Sequence, residues 1–147
     1  MNYNSLLRNI FMIQTFLLIT IGGGLGSAAR FAVSLLVSHF TSNTAQTGFP
    51  LATFLVNIIG SFVLGGVVAL TGERVNALSA EWRYFLAVGF CGGFTTFSTL
   101  SLELFTMLQE GRFGAAFGYI SVSIFLGIAS VGAGLGLVYW LNKALKP

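Results

Sequence analysis

Charge is the scarcest commodity in this sequence: of 147 residues, only seven are Lys or Arg and four Asp or Glu, 7% in all against 55% hydrophobic residues. A soluble domain carries about a quarter of its residues as charges, so water is excluded as the chain's main solvent. Cysteine is nearly absent too. With Cys91 alone, an intrachain disulfide and a Cys-rich metal site are both ruled out. The seven basic residues, scattered at the ends of apolar runs, form no patch or stripe, and the basic pI of 9.4 therefore does not indicate nucleic acid as a partner. No repeat or low-complexity tract is present.

What fills the space between the charges is apolar. No charged residue lies between Arg8 and Arg30, Arg30 and Glu73, Arg83 and Glu103, or Arg112 and Lys143. Each gap accommodates at least one crossing of a hydrocarbon core, which takes roughly 20 helical residues. The runs are continuous rather than alternating, which argues against a β-barrel. The first run, 10–29, is longer than the core of a signal peptide and lacks a clear cleavage pattern, so it reads as a retained helix.

The expected architecture is one all-α integral membrane domain over residues 1–147, with four transmembrane helices at about 11–37, 51–71, 83–108 and 115–141. The polar stretch HFTSNTAQTGFP (39–50) breaks the first from the second. A short charged connection with Ser79 as a helix cap precedes the third, and QEGRFG turns the chain into the fourth. Trp82, Tyr84, Tyr139 and Trp140 lie near helix ends, where amphipathic rings anchor at the membrane interface. Arg8, Arg74, Arg83, Lys143 and Lys146 fall on one side, against Arg112 and Arg30, which puts both termini in the cytoplasm.

Nineteen glycines require a reason, and many stand four apart: Gly22 and Gly26, Ser61 and Gly65, Gly89 and Gly93, Gly114 and Gly118, Gly132 and Gly136. Small residues at that spacing let helix backbones approach closely. GFCGGFTTFSTLSLE (89–103) is different, because its glycines, threonines and serines weaken a continuous helix in mid-membrane. A break is expected at 92–95, where freed backbone faces protein or a polar cavity; the alternative is an intact, glycine-packed helix.

Asn57, in the middle of the second helix and one turn after Thr53, is either interhelical glue or a pore-lining donor, since a bare amide in lipid is costly. Arg30 is either a functional cation or a snorkelling residue at a helix end. Glu103, the only acid in the third span, belongs to a site or marks the span's end. Tyr119, Ser123 and Gly127 stack along one helix face and suit either a polar track or packing. His39 and Cys91 read as incidental, since the sequence sets no other ligand type at metal-ligand spacing from them.

Four blocks, GGGLGSAAR (22–30), FPLATFLVNIIGSFVLG (49–65), GFCGGFTTFSTLSLE (89–103) and LQEGRFG (108–114), resemble in order and spacing the Fluc (CrcB) family of small fluoride channels. The resemblance implies an antiparallel, dual-topology dimer with two narrow anion pores and a structural sodium ion at the centre of the interface. It makes Arg30 a vestibule cation, Asn57 a pore-facing donor, Phe97 part of an aromatic box around fluoride and Glu103 a pore-end carboxylate. Tyr119 and Ser123 match a polar track, Thr53 is a further member, and carbonyls of Gly92 and Thr95 hold sodium. Leu100 stands where the family carries a second phenylalanine, with Phe94 as the nearest substitute, and Gly127 replaces a polar residue. These departures imply slower conduction or a single conducting pore. With the one-sided cations, they raise a heterodimer with an oppositely oriented homologue beside the homodimer.

The implied role is passive export of cytoplasmic fluoride across the plasma (inner) membrane, with fluoride, Na+ and the lipid bilayer as partners and no enzyme activity. The rival is a small multidrug or cation exporter, which needs an intramembrane carboxylate that the first helix lacks. A non-transporting membrane assembly protein explains the glycines but not the donors grouped around Asn57.

Overall fold

The computed structural model describes residues 3–41 and 48–145. Four helical segments are long and apolar enough to cross a membrane: Tyr3–Thr41, Leu51–Thr71, Ala80–Gln109 and Phe113–Leu145. We label the helices α1 (Tyr3–Thr41), α2 (Leu51–Thr71), α3 (80–94), α4 (Phe97–Gln109) and α5 (Phe113–Leu145), so that α3 and α4 together form the third span.

The outer helices overrun the expected bounds. α1 has 39 residues rather than the stretch 11–37, about 58 Å at the α-helical rise. α5 begins at Phe113 and continues to Leu145, past the expected end at 141. The reason is local: neither flank of α1 contains Gly or Pro, and Asn142 and Lys143 continue α5 without breaking it. α2, with 21 residues, matches the hydrocarbon thickness. Of the polar stretch 39–50, residues 42–47 lie outside the described residues. Ser79 takes the extended N-cap backbone ahead of α3 but makes no side-chain bond to the first amides.

The third span is broken, though not at the glycines. Gly92–Phe94 is still helical, and the extended residues are Thr95 (ψ 162°) and Thr96 (φ −152°, ψ 118°). Threonine hydroxyls explain the position, because they offer the backbone an alternative to the helical ladder. Thr95 Oγ1 donates to the Cys91 carbonyl at 2.8 Å, and Thr96 Oγ1 accepts from the Thr99 amide at 3.2 Å, capping α4. Upstream, Tyr84–Cys91 winds as a π-helix, a feature with no signature in the sequence.

Two helix pairs form the bundle, α1 against α3 and α2 against α5. Both crossings depend on missing side chains. A Cβ on Gly26 would run into the Phe90 carbonyl, and one on Gly93 into the Gly23 carbonyl. Likewise a Cβ on Gly65 would meet the Val131 carbonyl, and one on Gly134 that of Phe62. Of the spaced pairs, Gly114 with Gly118 and Gly132 with Gly136 meet nothing within 4 Å among the described residues. They are not close-packing sites in this subunit; Gly134, between the latter two, is the one that touches α2. α4 leans on α5 through Leu100, Met107, Ala116 and Tyr119.

One end of the bundle gathers Arg8, Arg74, Arg83 and Lys143, with Phe11 edge-on to Tyr84 and Arg74 over the ring of Tyr139 at 5.8 Å. Arg112 and Glu110 lie at the opposite end.

Candidate functional site

The break is held open by one side chain. From the middle of α2, Asn57 presents Oδ1 to the Thr96 amide at 2.8 Å and donates Nδ2–H to the Thr96 carbonyl at 3.2 Å. Both backbone groups of Thr96, which the interruption leaves without helical partners, are thereby satisfied. The glue function considered for Asn57 is real, and it is aimed at backbone rather than at another side chain. Asn carries two amide protons, and only one is committed to Thr96.

Beside the break runs an open groove of about 650 Å³. Asn57, Gly92, Thr95, Phe97, Leu100 and Ser123 all line it. Phe97 is 80% exposed, its ring standing out from the subunit, whereas Leu100 is buried against α5. Phe94 is not in this lining: it is buried with its ring stacked on Phe90 at 5.7 Å and offers no ring edge at the Leu100 position. Ser123 is 9% exposed, and its hydroxyl is buried without a hydrogen-bond partner. Gly127, one turn on, faces Ser61 of α2.

A second cluster forms around Glu103. Thr53 Oγ1 donates to Glu103 Oε1 at 2.6 Å, and the Tyr119 hydroxyl donates to Glu103 Oε2 at 2.9 Å. This ties α2, α4 and α5 at one carboxylate. Thr53 and Tyr119 are 7% and 1% exposed, so the half-buried carboxylate has two fixed donors, one on each oxygen. Glu103 does not simply mark the end of its span.

Arg30 lines a cavity of about 310 Å³ with Ser27, Ser34 and Thr99, and with Thr53 and Thr96, which join it to the two clusters. Its Nε is buried and unpartnered. Arg30 Nε and Ser123 Oγ are the buried side-chain polar atoms left without a partner among the described residues. A buried donor left bare is costly unless something else pairs with it, and both lie among hydroxyl-bearing or donor side chains.

The structure thus brings Asn57, Phe97, Leu100 and Ser123 to one groove and Thr53, Glu103 and Tyr119 to one carboxylate, with Thr53 also reaching the Arg30 cavity. Sequence reasoning missed Thr96, the residue on which the break turns. Its signal was present as a threonine three residues before another hydroxyl residue at a helix start. Phe49 was missed as well: its ring lies edge-on to Tyr119 at 5.1 Å and to Phe54 at 5.5 Å.

A bundle of four apolar spans, one interrupted at depth with polar donors converging on the interruption, defines a multi-pass helical membrane protein with a discontinuous helix. A family model described as "CrcB-like protein, Camphor Resistance (CrcB)" matches residues 17–135, and the chain belongs to the CrcB family. Among its relatives, proteins named fluoride-specific ion channel FluC are similar over most of their length. One from Caulobacter vibrioides is 42% identical over 123 residues, 84% of this chain and 94% of its own. One from Bacteroides fragilis is 45% identical over 122 residues, 83% and 94% respectively. One from Flavobacterium psychrophilum is 41% identical over 123 residues, 84% and 95%.

Proposed function

We propose that this chain is a subunit of a fluoride-selective passive channel that lets cytoplasmic fluoride leave the cell. The observation that carries the reading is the groove at the break, lined by both Asn57, which keeps one amide proton uncommitted, and Ser123, whose hydroxyl has no partner among the described residues. Fluoride is small and strongly hydrated, so a pore must replace its water shell with several donors. Asn57 and Ser123 supply such donors, and the exposed ring edge of Phe97 adds the positive side of an aromatic quadrupole. The names of the relatives point to the same ion. Passage of fluoride makes and breaks no covalent bond.

The groove is open on one side, and a second subunit in inverted orientation closes it. Such an antiparallel dimer gives two pores and a shared centre in the plasma (inner) membrane. A structural sodium ion at that centre is part of the reading. The donor set fits it: Gly92 has open space where a Cβ would stand, Thr95 is extended, and a hard monovalent cation takes neutral carbonyl oxygens. The Gly92 and Thr95 carbonyls, with those of the second subunit, would hold the ion, whose charge offsets part of the cost of desolvating an anion nearby. Among the described residues, no group of three His, Cys, Asp or Glu side chains stands ready for a metal.

A heteromeric form of this reading is favoured by Leu100, which puts no ring edge in the groove, and by the cations gathered at one end. The test is fluoride efflux from liposomes holding the purified chain alone, followed with a fluoride-selective electrode against chloride. Robust, selective efflux establishes a homomeric channel. Efflux that appears only with an oppositely oriented homologue establishes the heteromer, and none under either condition removes the channel assignment. A multidrug exporter would instead release organic cations, at a carboxylate other than Glu103, whose two oxygens are already engaged.

A further inference from the structure

Arg112 stands at the turn from α4 to α5, and its backbone is fixed from both sides. Gly111, at φ 73°, adopts the left-handed conformation that ends a helix. Its amide donates to the Leu108 carbonyl at 3.1 Å and the Arg112 amide to that of Met107 at 2.9 Å, the double closure of a Schellman turn. The Arg112 carbonyl then accepts the Ala116 amide at 3.0 Å, opening α5.

The guanidinium extends from this fixed point to a distant segment. Nη1 donates to Glu110 Oε2 at 3.1 Å, and Nη2 donates to the Gly48 carbonyl at 2.9 Å. Glu110 orients the fork, and Gly48 is what the fork holds. A side chain on Gly48 would press into the guanidinium, and its φ of 61° disfavours one in any case. The next residue is Phe49. Its ring meets Tyr119 edge to face at 5.1 Å and 74°, and Phe54 at 5.5 Å and 69°. Tyr119 in turn donates to Glu103, and Phe54 follows Thr53, the other donor to that carboxylate.

A cavity of about 270 Å³ adjoins Phe49, Tyr119, Arg112, Met107 and Val122. The Phe49 ring therefore has room to leave Tyr119, and what opposes this is its contact with Phe54, the Leu51 amide on the Phe49 carbonyl and the grip on Gly48. An exposed ion pair such as Arg112–Glu110 contributes little by itself. Its geometric consequence is larger, since it sets the ring that sets the tyrosine.

We propose that Arg112 and Phe49 are positioning residues for the Glu103 cluster: the Arg112–Gly48 clamp holds the Phe49 ring against Tyr119 and so fixes the Tyr119 hydroxyl on Glu103. The consequence for ion passage rests on the channel reading, while the consequence for Tyr119 does not. Neither residue touches the ion.

Two readouts test this. In the first, 3-fluorotyrosine is placed at position 119 of the purified full chain and its fluorine NMR signal is compared between wild type, Arg112→Ala and Arg112→Lys. A single line in wild type should shift or split in both variants, because lysine keeps the charge but lacks the fork. In the second, liposome fluoride efflux is measured for Arg112→Ala, Tyr119→Phe and the double variant. Arg112→Ala should lower efflux by at least about fivefold, the low end of coupling between linked sites, and should add nothing in the Tyr119→Phe background. An unchanged fluorine signal in protein that elutes like wild type overturns the clamp whether or not the chain conducts. Independent, multiplying losses in the double variant overturn the route through Tyr119. A wild type without efflux but with a clamp-dependent fluorine signal removes the channel assignment and leaves the clamp standing.

Discussion

Asn57 grips the backbone of Thr96 at both its poles, taking the amide proton at 2.8 Å and giving a proton to the carbonyl at 3.2 Å. Residues in different spans, thirty-nine positions apart, thus share the hydrogen bonds that a continuous helix would have made internally. Asn57→Asp removes the Nδ2 donor and sets a carboxylate against a carbonyl. A buried partner left unsatisfied costs about 1–3 kcal/mol, so the thermal midpoint in detergent should fall, and fluoride efflux should drop by at least about tenfold. Wild-type efflux from this variant would separate Asn57 from the ion path.

Phe97 makes a cleaner test of the ion path, because at 80% exposure it contributes little to the fold of the subunit. Phe97→Ile keeps an apolar side chain but removes the electropositive ring edge. Efflux is expected to fall by roughly tenfold, with the monomer's helical content and thermal midpoint unchanged. A stability loss without an efflux loss would assign the ring to assembly instead.

Glu103 depends on two hydroxyl donors, and removing either exposes the carboxylate to a partly dry environment. Thr53→Val and Tyr119→Phe are nearly isosteric, so each isolates one hydrogen bond. Bonds to a charged group contribute about 1.5–3 kcal/mol. Each variant should lower the unfolding free energy within that range, and the double variant should lose less than the sum, since both act on one carboxylate. Strict additivity in a denaturation series would show that the two bonds are independent.

The helix crossings predict a contrast among glycines. Gly26→Leu and Gly134→Leu drive side chains into the carbonyls of Phe90 and Phe62 and should leave little monodisperse protein by size exclusion. Gly118→Leu and Gly132→Leu meet open space in the subunit and should preserve its fold. Loss of a dimer, with the subunit intact, in either of the latter would map that face to the subunit interface.

Much of this molecule is readable from residue spacing. Long charge-free runs specify four spans because a charge in hydrocarbon is expensive, and the glycines, threonines and serines of 89–103 mark the third span as the weak one without excluding an intact helix. The break fell at Thr95 and Thr96 rather than at the glycines because hydroxyls, not flexibility, diverted the backbone. Flexibility permits an interruption; a competing hydrogen bond locates it.

Pairing of distant side chains was not readable, since no local pattern encodes it. Asn57 on Thr96, Thr53 and Tyr119 on Glu103, and Arg112 on Gly48 each join segments far apart in the chain, and each exists only once the helices cross at given depths and rotations. Periodicity likewise marked five small-residue pairs, but contact with a neighbouring backbone distinguished Gly22, Gly26, Gly65, Gly89 and Gly93 from the members facing outward, and added Gly134, which no pair contained. The distribution of charge and apolar residues therefore determined the solvent and the number of spans, because these follow from transfer free energies residue by residue, while the interruption was one of two readings until the backbone of Thr95 and Thr96 decided it. Tertiary structure decided which donors are spent on the protein and which are left free, because that depends on geometry between helices.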